Sequence, residues 1–440
     1  MAPRDLRVTR VELENIRCFA QIALDLAPAG APVSLAVILG DNGVGKSTLL
    51  KSITLGLSSP KAASALFEAP GAPWLRRGTT QGSIHLTFNT GEFAHLCIGQ
   101  ESWGERIASH ECTAVDLLHE QVLVCGYGAA RRAFGDKSMT EYSLREAVWS
   151  LFHYDARLQN PELILRRLAD TADPTAAEVL QWIDHVLLLP PGSTRLGQTG
   201  LEVSGPWGDF TPGGALGDGY QATMAWLFDL LGWVMYRNHL MLREGVRGIV
   251  LVDEIEQHLH PSWQRRIYYL LAQQFPQVQF LTTTHAPLCV IGTTDLDDQQ
   301  VSLVHLRQSE QTVEAVSGIT PPRGMRADQV LTSFLFGMET SGDDQTKREI
   351  ERLSALLAEA QRSPEEEAEV AQLRQHLNAK LGSGETALEQ WVDTMTDQVM
   401  EEYYRQLLQR ATGSSRQESI HAQAVDLEVR RQFKELFSKL

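Results

Sequence analysis

An apolar run from Val33 to Leu39 leads directly into Gly40-Asp41-Asn42-Gly43-Val44-Gly45-Lys46-Ser47, and a helical pattern follows from Thr48 to Leu57. Strand, glycine-rich turn and helix in that order satisfy G-x-x-x-x-G-K-[ST], the context in which backbone amides wrap a phosphate chain. Asn42, Gly43, Val44 and Gly45 would line that wrap. Lys46 would reach the β- and γ-phosphates, Ser47 would ligate Mg²⁺, and Thr48 would lie near the α-phosphate. The implied cofactors are ATP and Mg²⁺.

The rest of the chain supports an α/β head over residues 1–325, with mixed and parallel sheet and added antiparallel strands. Val8 to Ile16 and Ala20 to Leu26 alternate as strands do, as do Gly82 to Asn89 and Ala94 to Gln100 beyond a Pro/Gly-rich loop. Gln121 to Cys125 is an apolar strand ending at Gly126-Tyr127-Gly128. Residues 142–189 turn helical, with Pro161 and Pro174 at first-turn positions, and predict a helical subdomain at about 140–190. Leu201 to Trp207 returns to strand, and Gly219 to Tyr236 is a long apolar helix. Gly248 to Val252 and Val278 to Leu281 are buried strands separated by a helix from Ser262 to Phe275, the alternation of a parallel core. Val301 to Leu306 and Thr312 to Val316 read as a closing hairpin.

Residues 326–440 read as all-α, a region for oligomer or partner contacts. Ser363-Pro364-Glu365-Glu366 combines a cap, a first-turn proline and carboxylates facing the helix dipole. Leu353, Leu356 and Leu357 before it, with Val370, Leu373 and Leu377 after it, predict an antiparallel helical hairpin. Trp391, Met395, Val399 and Tyr403 form a second stripe, which either packs on the head or meets a partner.

Two strand ends carry further chemistry. Gly248-Ile249-Val250-Leu251-Val252-Asp253-Glu254 ends in two acids, of which Asp253 can hold Mg²⁺ through water and Glu254 can polarise an attacking water. Thr282-Thr283-Thr284-His285 closes the next buried strand and would aim His285 at the same phosphate edge. His258 and His260 stand two residues apart with no third ligand nearby, a pattern better suited to local hydrogen bonding than to a metal.

The phosphate loop, the segment Leu216-Gly217-Asp218-Gly219-Tyr220-Gln221 opening a helix, the Asp253-Glu254 strand and His285 occur in the order of ABC-type ATPase heads, which the chain resembles. The stretch from Val252 to Pro261, together with Thr284-His285-Ala286-Pro287, is similar to the non-transport branch related to RecF and OLD proteins. Leu216 to Gln221, Gly126 to Arg131 and Ala327 to Gly337 together resemble the ATPase subunits of Septu-type anti-phage systems and their retron-associated relatives. The resemblance implies that Leu216, Gly217, Asp218, Gly219, Tyr220 and Gln221 of one copy cover the nucleotide held by another, giving a homodimer or higher homo-oligomer with composite sites. It also implies an HNH nuclease partner. Gly217 replaces the usual serine, leaving a backbone amide at the γ-phosphate, so hydrolysis is expected to be slow. The resemblance places the Mg²⁺-sensing glutamine either at Gln81 or where this chain has the segment from Gly126 to Arg132, which holds no glutamine. Arg131 faces phosphate, nucleic acid, the opposing subunit or solvent.

Charge narrows the partners. The 440 residues carry 39 Lys+Arg against 55 Asp+Glu, a net −16, so contact with nucleic acid, including retron reverse transcriptase or its msDNA, is expected through a partner or a local patch. The five cysteines form no Cys-x-x-Cys pair, the N-terminus lacks a signal-peptide core, and no apolar stretch spans a bilayer, which points to a cytoplasmic protein without membrane contact. No long heptad block separates Lys46 from Leu216, excluding an SMC-like arm. Asp295-Leu296-Asp297-Asp298 lacks the preceding strand and glutamate of a TOPRIM nuclease, so the chain is not expected to cut DNA itself. A RecF-like DNA-maintenance ATPase is the alternative, and the energy-coupling head of an importer a weaker one.

Overall fold

The computed structural model describes residues 5–381 apart from 29, 69–70, 131–141, 159–174, 187–188, 198–200, 206–207, 211–224, 235–245, 310–311, 339–342 and 359–362. Contacts divide the chain into two compact units, Met1–Glu339 and Thr340–Leu440. Residues of Ala327–Thr332 and its sequel belong to the first, because Val330 and Leu335 are buried in its core.

Two sheets organise the first unit. One is antiparallel, in the order β2(Phe19–Asp25), β1(Val8–Ile16), β4(Gln81–Phe88), β5(Phe93–Glu101), β6(Gly104–Cys112). The other has the order β14(Thr312–Ile319), β13(Val301–Ser309), β3(Leu35–Gly40), β12(Val278–Thr283), β11(Gly248–Val252), β7(Leu123–Tyr127), with every pairing parallel except β14 on β13. A small third sheet, β8(Thr194–Leu196) to β10(Gly208–Phe210) around β9(Leu201–Gly205), follows the helix Thr175–Val186.

Period-two alternation along the parallel strands divides the interior into two cores. Ala36, Ile38, Ile249, Leu251, Leu281 and Val304 face α1(Lys46–Leu57), whose Leu49, Leu50, Ile53, Leu55 and Leu57 are buried between the two sheets. Full burial of each such side chain stabilises by roughly 1.5–3 kcal/mol, so α1 is held by packing on both sides rather than by helix propensity. Val37, Leu39, Cys125, Tyr127, Val250, Val252 and Phe280 face the other way, onto helical residues 225–234 and the helices Ile267–Gln274 and Pro287–Gly292. The fully buried Gln279 fastens the layers together, accepting from the Val8 amide at 2.8 Å and donating to the Val8 and Val33 carbonyls.

The expected strands are present, with three additions, β6, β8 and β10. Strand β6 was not legible in the sequence, because it is an edge strand with no buried residue and no apolar alternation, and β8 and β10 are three-residue strands too short to show a period. The helix expected from Ser262 to Phe275 is divided into Pro261–Gln264 and Ile267–Gln274, and the residues between 142 and 189 hold short helices at Leu144–Ala147 and Trp149–Phe152 before Thr175–Val186. Pro161 and Pro174 lie outside the described residues.

In the second unit, Asp344–Ala358 and Pro364–Leu381 pack as a helical hairpin around Leu356, Val370 and Leu377. The cap at Ser363 forms as the sequence predicts: the Glu366 amide donates to Ser363 Oγ, and the Ser363 amide to Glu366 Oε2. Trp391, Met395, Val399 and Tyr403 lie outside the described residues. No described helix is long and apolar enough to cross a membrane.

Candidate nucleotide site

The parallel sheet places the C-terminal ends of β3, β12, β11 and β7 along one edge, where ligands of open α/β sheets bind. Strand β3 ends at Gly40, whose φ is 141° and whose Cβ position is occupied by the Leu306 carbonyl oxygen of neighbouring β13. The loop continues through exposed Asn42 and Gly43, with φ 85° at Gly43, and buried Val44, to Gly45 at φ 100°. A side chain at Gly45 would collide with Cys18 Sγ and would stand 2.7 Å from Phe19 Cζ. Gly45→Ala therefore meets both a steric clash and a backbone conformation that alanine resists. We expect it to lower the melting temperature and to abolish ATP binding, as read by thermal shift with and without nucleotide.

Helix α1 starts at Lys46 with no side-chain cap and no acid in its first turn, so its exposed amides present the positive end of the helix dipole to the loop. Lys46 is 6% exposed and folds back into the loop, donating from Nζ to the Gly40 carbonyl at 2.8 Å and the Asp41 carbonyl at 2.9 Å. Burial lowers its pKa, opposed by the negative charges of Asp253, Glu254, Glu256 and Asp41. Ser47 and Thr48 are half-buried in the same turn.

The two acids meet this loop across β12, which lies between β3 and β11. Asp253 is 5% exposed, and its Oδ1 accepts from the Thr283 hydroxyl at 2.6 Å. The same hydroxyl oxygen accepts from the Glu254 amide at 2.7 Å. Glu254 has φ 47°, so the chain turns sharply just where the second carboxylate emerges, half-buried. His285 is half-buried, and its amide donates to Glu256 Oε1 at 2.5 Å. Thr283 and Glu256 were missed by sequence reasoning. The available signal was three consecutive threonines, polar residues that are fully buried at the end of the strand.

Gln81 is exposed at the start of β4, where its backbone pairs with Gly99. His258 is exposed at φ 66°, while His260 caps Pro261–Gln264 by accepting from the Ser262 amide, the local role expected of it. Arg131 and the segment Leu216, Gly217, Asp218, Gly219, Tyr220 and Gln221 lie outside the described residues.

This donor set suits a magnesium nucleotide. The glycines let the loop take left-handed turns that side chains resist, a cation and helix amides border it, and the hydroxyl of Ser47 and carboxylate of Asp253 would serve as oxygen ligands. Among the described residues no cluster of three His, Cys, Asp or Glu could hold a metal alone. Magnesium commonly takes one or two protein oxygens and completes its shell with phosphates and water, which matches that sparse set.

Comparison with known proteins agrees. A family model described as "AAA domain" matches residues 10–101, and one described as "AAA domain, putative AbiEii toxin, Type IV TA system" matches residues 200–290. Septu protein PtuA of Bacillus mycoides is 26% identical over 389 residues, 87% of this chain and 52% of that protein. A Vibrio cholerae protein named "Retron Vc95 probable ATPase" is 36% identical over 94 residues, 21% of this chain and 16% of its own length. The OLD nuclease of Thermus scotoductus is 23% identical over 330 residues, 63% of this chain and 59% of that enzyme. The chain thus spans about half the length of the first of these relatives and little of the second. Its first unit has the fold of a P-loop ATPase, and its homologues include Septu PtuA, retron ATPases and OLD nuclease.

Proposed function

We infer that the chain is an ATP-binding, slowly hydrolysing ABC-type ATPase that controls a partner HNH nuclease in anti-phage defence. The observation that carries the catalytic half of this reading is the Thr283 hydroxyl, which ties the Asp253 carboxylate to the Glu254 backbone one strand away from the Lys46 loop. In this reading Asn42 to Gly45 wrap the phosphates, and Lys46 and Thr48 contact them. Ser47 and Asp253 would hold Mg²⁺, which neutralises charge on the phosphates. Glu254 activates water and His285 stabilises the same edge. Residues 216–221 of a second copy complete each site, so the active form is a homodimer or larger homo-oligomer. Gln81 and Arg131 stay outside this core assignment.

Similarity to PtuA over most of the chain supports the defence role, with cytoplasmic residence and the nuclease in a separate subunit. The helical region beyond residue 326 is the proposed docking region for that subunit, which would also supply contact with nucleic acid.

The test is the purified chain, alone and co-expressed with an HNH nuclease encoded beside it. Alone it is expected to hydrolyse ATP at below about 1 s⁻¹, under the median near 10 s⁻¹ for enzymes. Together the two should co-purify, with DNA cleavage that responds to ATP. Turnover at the general enzyme median would sink the slow-hydrolysis reading. Tight, salt-dependent duplex binding by the chain alone would favour a RecF-like role instead.

A further inference from the structure

The segment Gly126-Tyr127-Gly128 at the end of β7 has no part in the site described above. Its glycines are required by packing. A Cβ at Gly128 would collide with the Ser150 carbonyl oxygen, and one at Gly126 would stand 3.2 Å from Val148 Cβ. The Ser150 hydroxyl donates to the Gly126 carbonyl at 3.0 Å. One face of this strand end is therefore pressed against residues 148–151 without slack, and Tyr127 projects from the other face.

There the Tyr127 ring is fully buried, with its centroid 5.6 Å from that of Trp226, and its hydroxyl donates to Asp229 Oδ2 at 3.0 Å. The Trp233 indole donates to the same oxygen at 2.7 Å. Asp229 is 3% exposed, so these donors hold a carboxylate of helical residues 225–234 inside the core. Burial and the Asp229 charge push the phenol pKa well up, which keeps the hydroxyl a donor. On its backbone side, the Tyr127 carbonyl accepts the Asp253 amide at 2.8 Å. One residue thus bonds both the helix that follows residues 216–221 in sequence and the main chain of the acid beside the phosphate loop.

We propose that Tyr127 is a positioning residue that couples helix 225–234 to the Asp253 main chain, so that the metal-holding edge of the site follows the position of that helix. Shape accounts for the rigidity of the coupling: the strand end cannot retreat toward residues 148–151, so displacement of Asp229 is passed to the Asp253 amide rather than absorbed. The proposal rests on the reading of Asp253 as the magnesium acid.

Tyr127→Phe keeps the ring and removes only the hydroxyl. With the full chain and MgATP, kcat is expected to fall about tenfold and the Mg²⁺ concentration for half-maximal turnover to rise about tenfold, as for loss of a group that orients a metal ligand, while Kd for ATP without Mg²⁺ stays within about threefold. Trp233→Phe removes a second donor to the same carboxylate but leaves the tie to β7, and is expected to lower the melting temperature without moving the Mg²⁺ dependence. The double variant Tyr127→Phe, Asp229→Leu removes hydroxyl and charge together. It also takes the Asp229 acceptor from the Trp233 indole, so it is expected to melt no higher than Tyr127→Phe and still to show the altered Mg²⁺ dependence. A wild-type Mg²⁺ dependence in Tyr127→Phe or in the double variant, or an equal shift in Trp233→Phe, would overturn the proposal and leave the nucleotide-site reading standing. A wild-type chain with no Lys46-dependent turnover would overturn both.

Discussion

Replacing Glu254 by glutamine is expected to leave ATP binding within about threefold of wild type and to lower turnover by about two to four orders of magnitude, the range for loss of a general base. The reason is geometric. The Glu254 amide is anchored to Thr283 Oγ1 at 2.7 Å, and φ at this position is 47°, so the backbone, not the carboxylate, sets where the side chain emerges. Glutamine keeps the Cβ, the length and the anchor, and removes only the charge and the basic oxygen. Phosphate release under single-turnover conditions and equilibrium nucleotide binding measure the two effects separately. Light scattering with saturating ATP measures a third, because blocked hydrolysis should hold the proposed dimer together. Turnover that survives the substitution would move the base to another group at this edge, with His285 first to be tested.

Lys46→Ala is expected to weaken MgATP binding and to lower turnover by about two to three orders of magnitude, comparable to removing a donor that stabilises transition-state charge. The effect exceeds the loss of one phosphate contact. The ammonium also donates to the carbonyls of Gly40 and Asp41, and it is a cation facing Asp253, Glu254 and Glu256. Without it, a polyphosphate would enter a loop that borders three carboxylates, with Lys51 near Asp253 as a remaining cation. Lys46→Met separates the contributions, since it retains most of the apolar stem and removes the charge. If Met restores the melting temperature of the Ala variant but not nucleotide affinity, the charge acts on the nucleotide. Affinity within threefold of wild type in both variants would show that the loop amides alone hold the phosphates.

Much of the chain is legible from short-range pattern. The phosphate loop, the acids at 253 and 254, His285 and the Ser363 cap are each written in a few consecutive residues, because turn chemistry, strand alternation and helix capping act over less than two turns of chain. The boundaries of β1 and β11 coincide with their apolar patterns for the same reason.

Other features depend on residues far apart in sequence. Placement of β12 between β3 and β11 sets Thr283 against Asp253 across 30 positions, and closure of β7 on β11 brings Tyr127 to Asp229 across 102. The threonine run hints at a polar strand end without showing which hydroxyl meets an acid, and the tyrosine does not differ locally from an ordinary core residue. Their significance arises from strand order, and strand order follows from which faces can be buried together. Local chemistry therefore specifies a glycine-rich turn of phosphate-loop pattern and two acids, whereas the packing of distant strands determines that they share one edge and which hydroxyl holds the acids there.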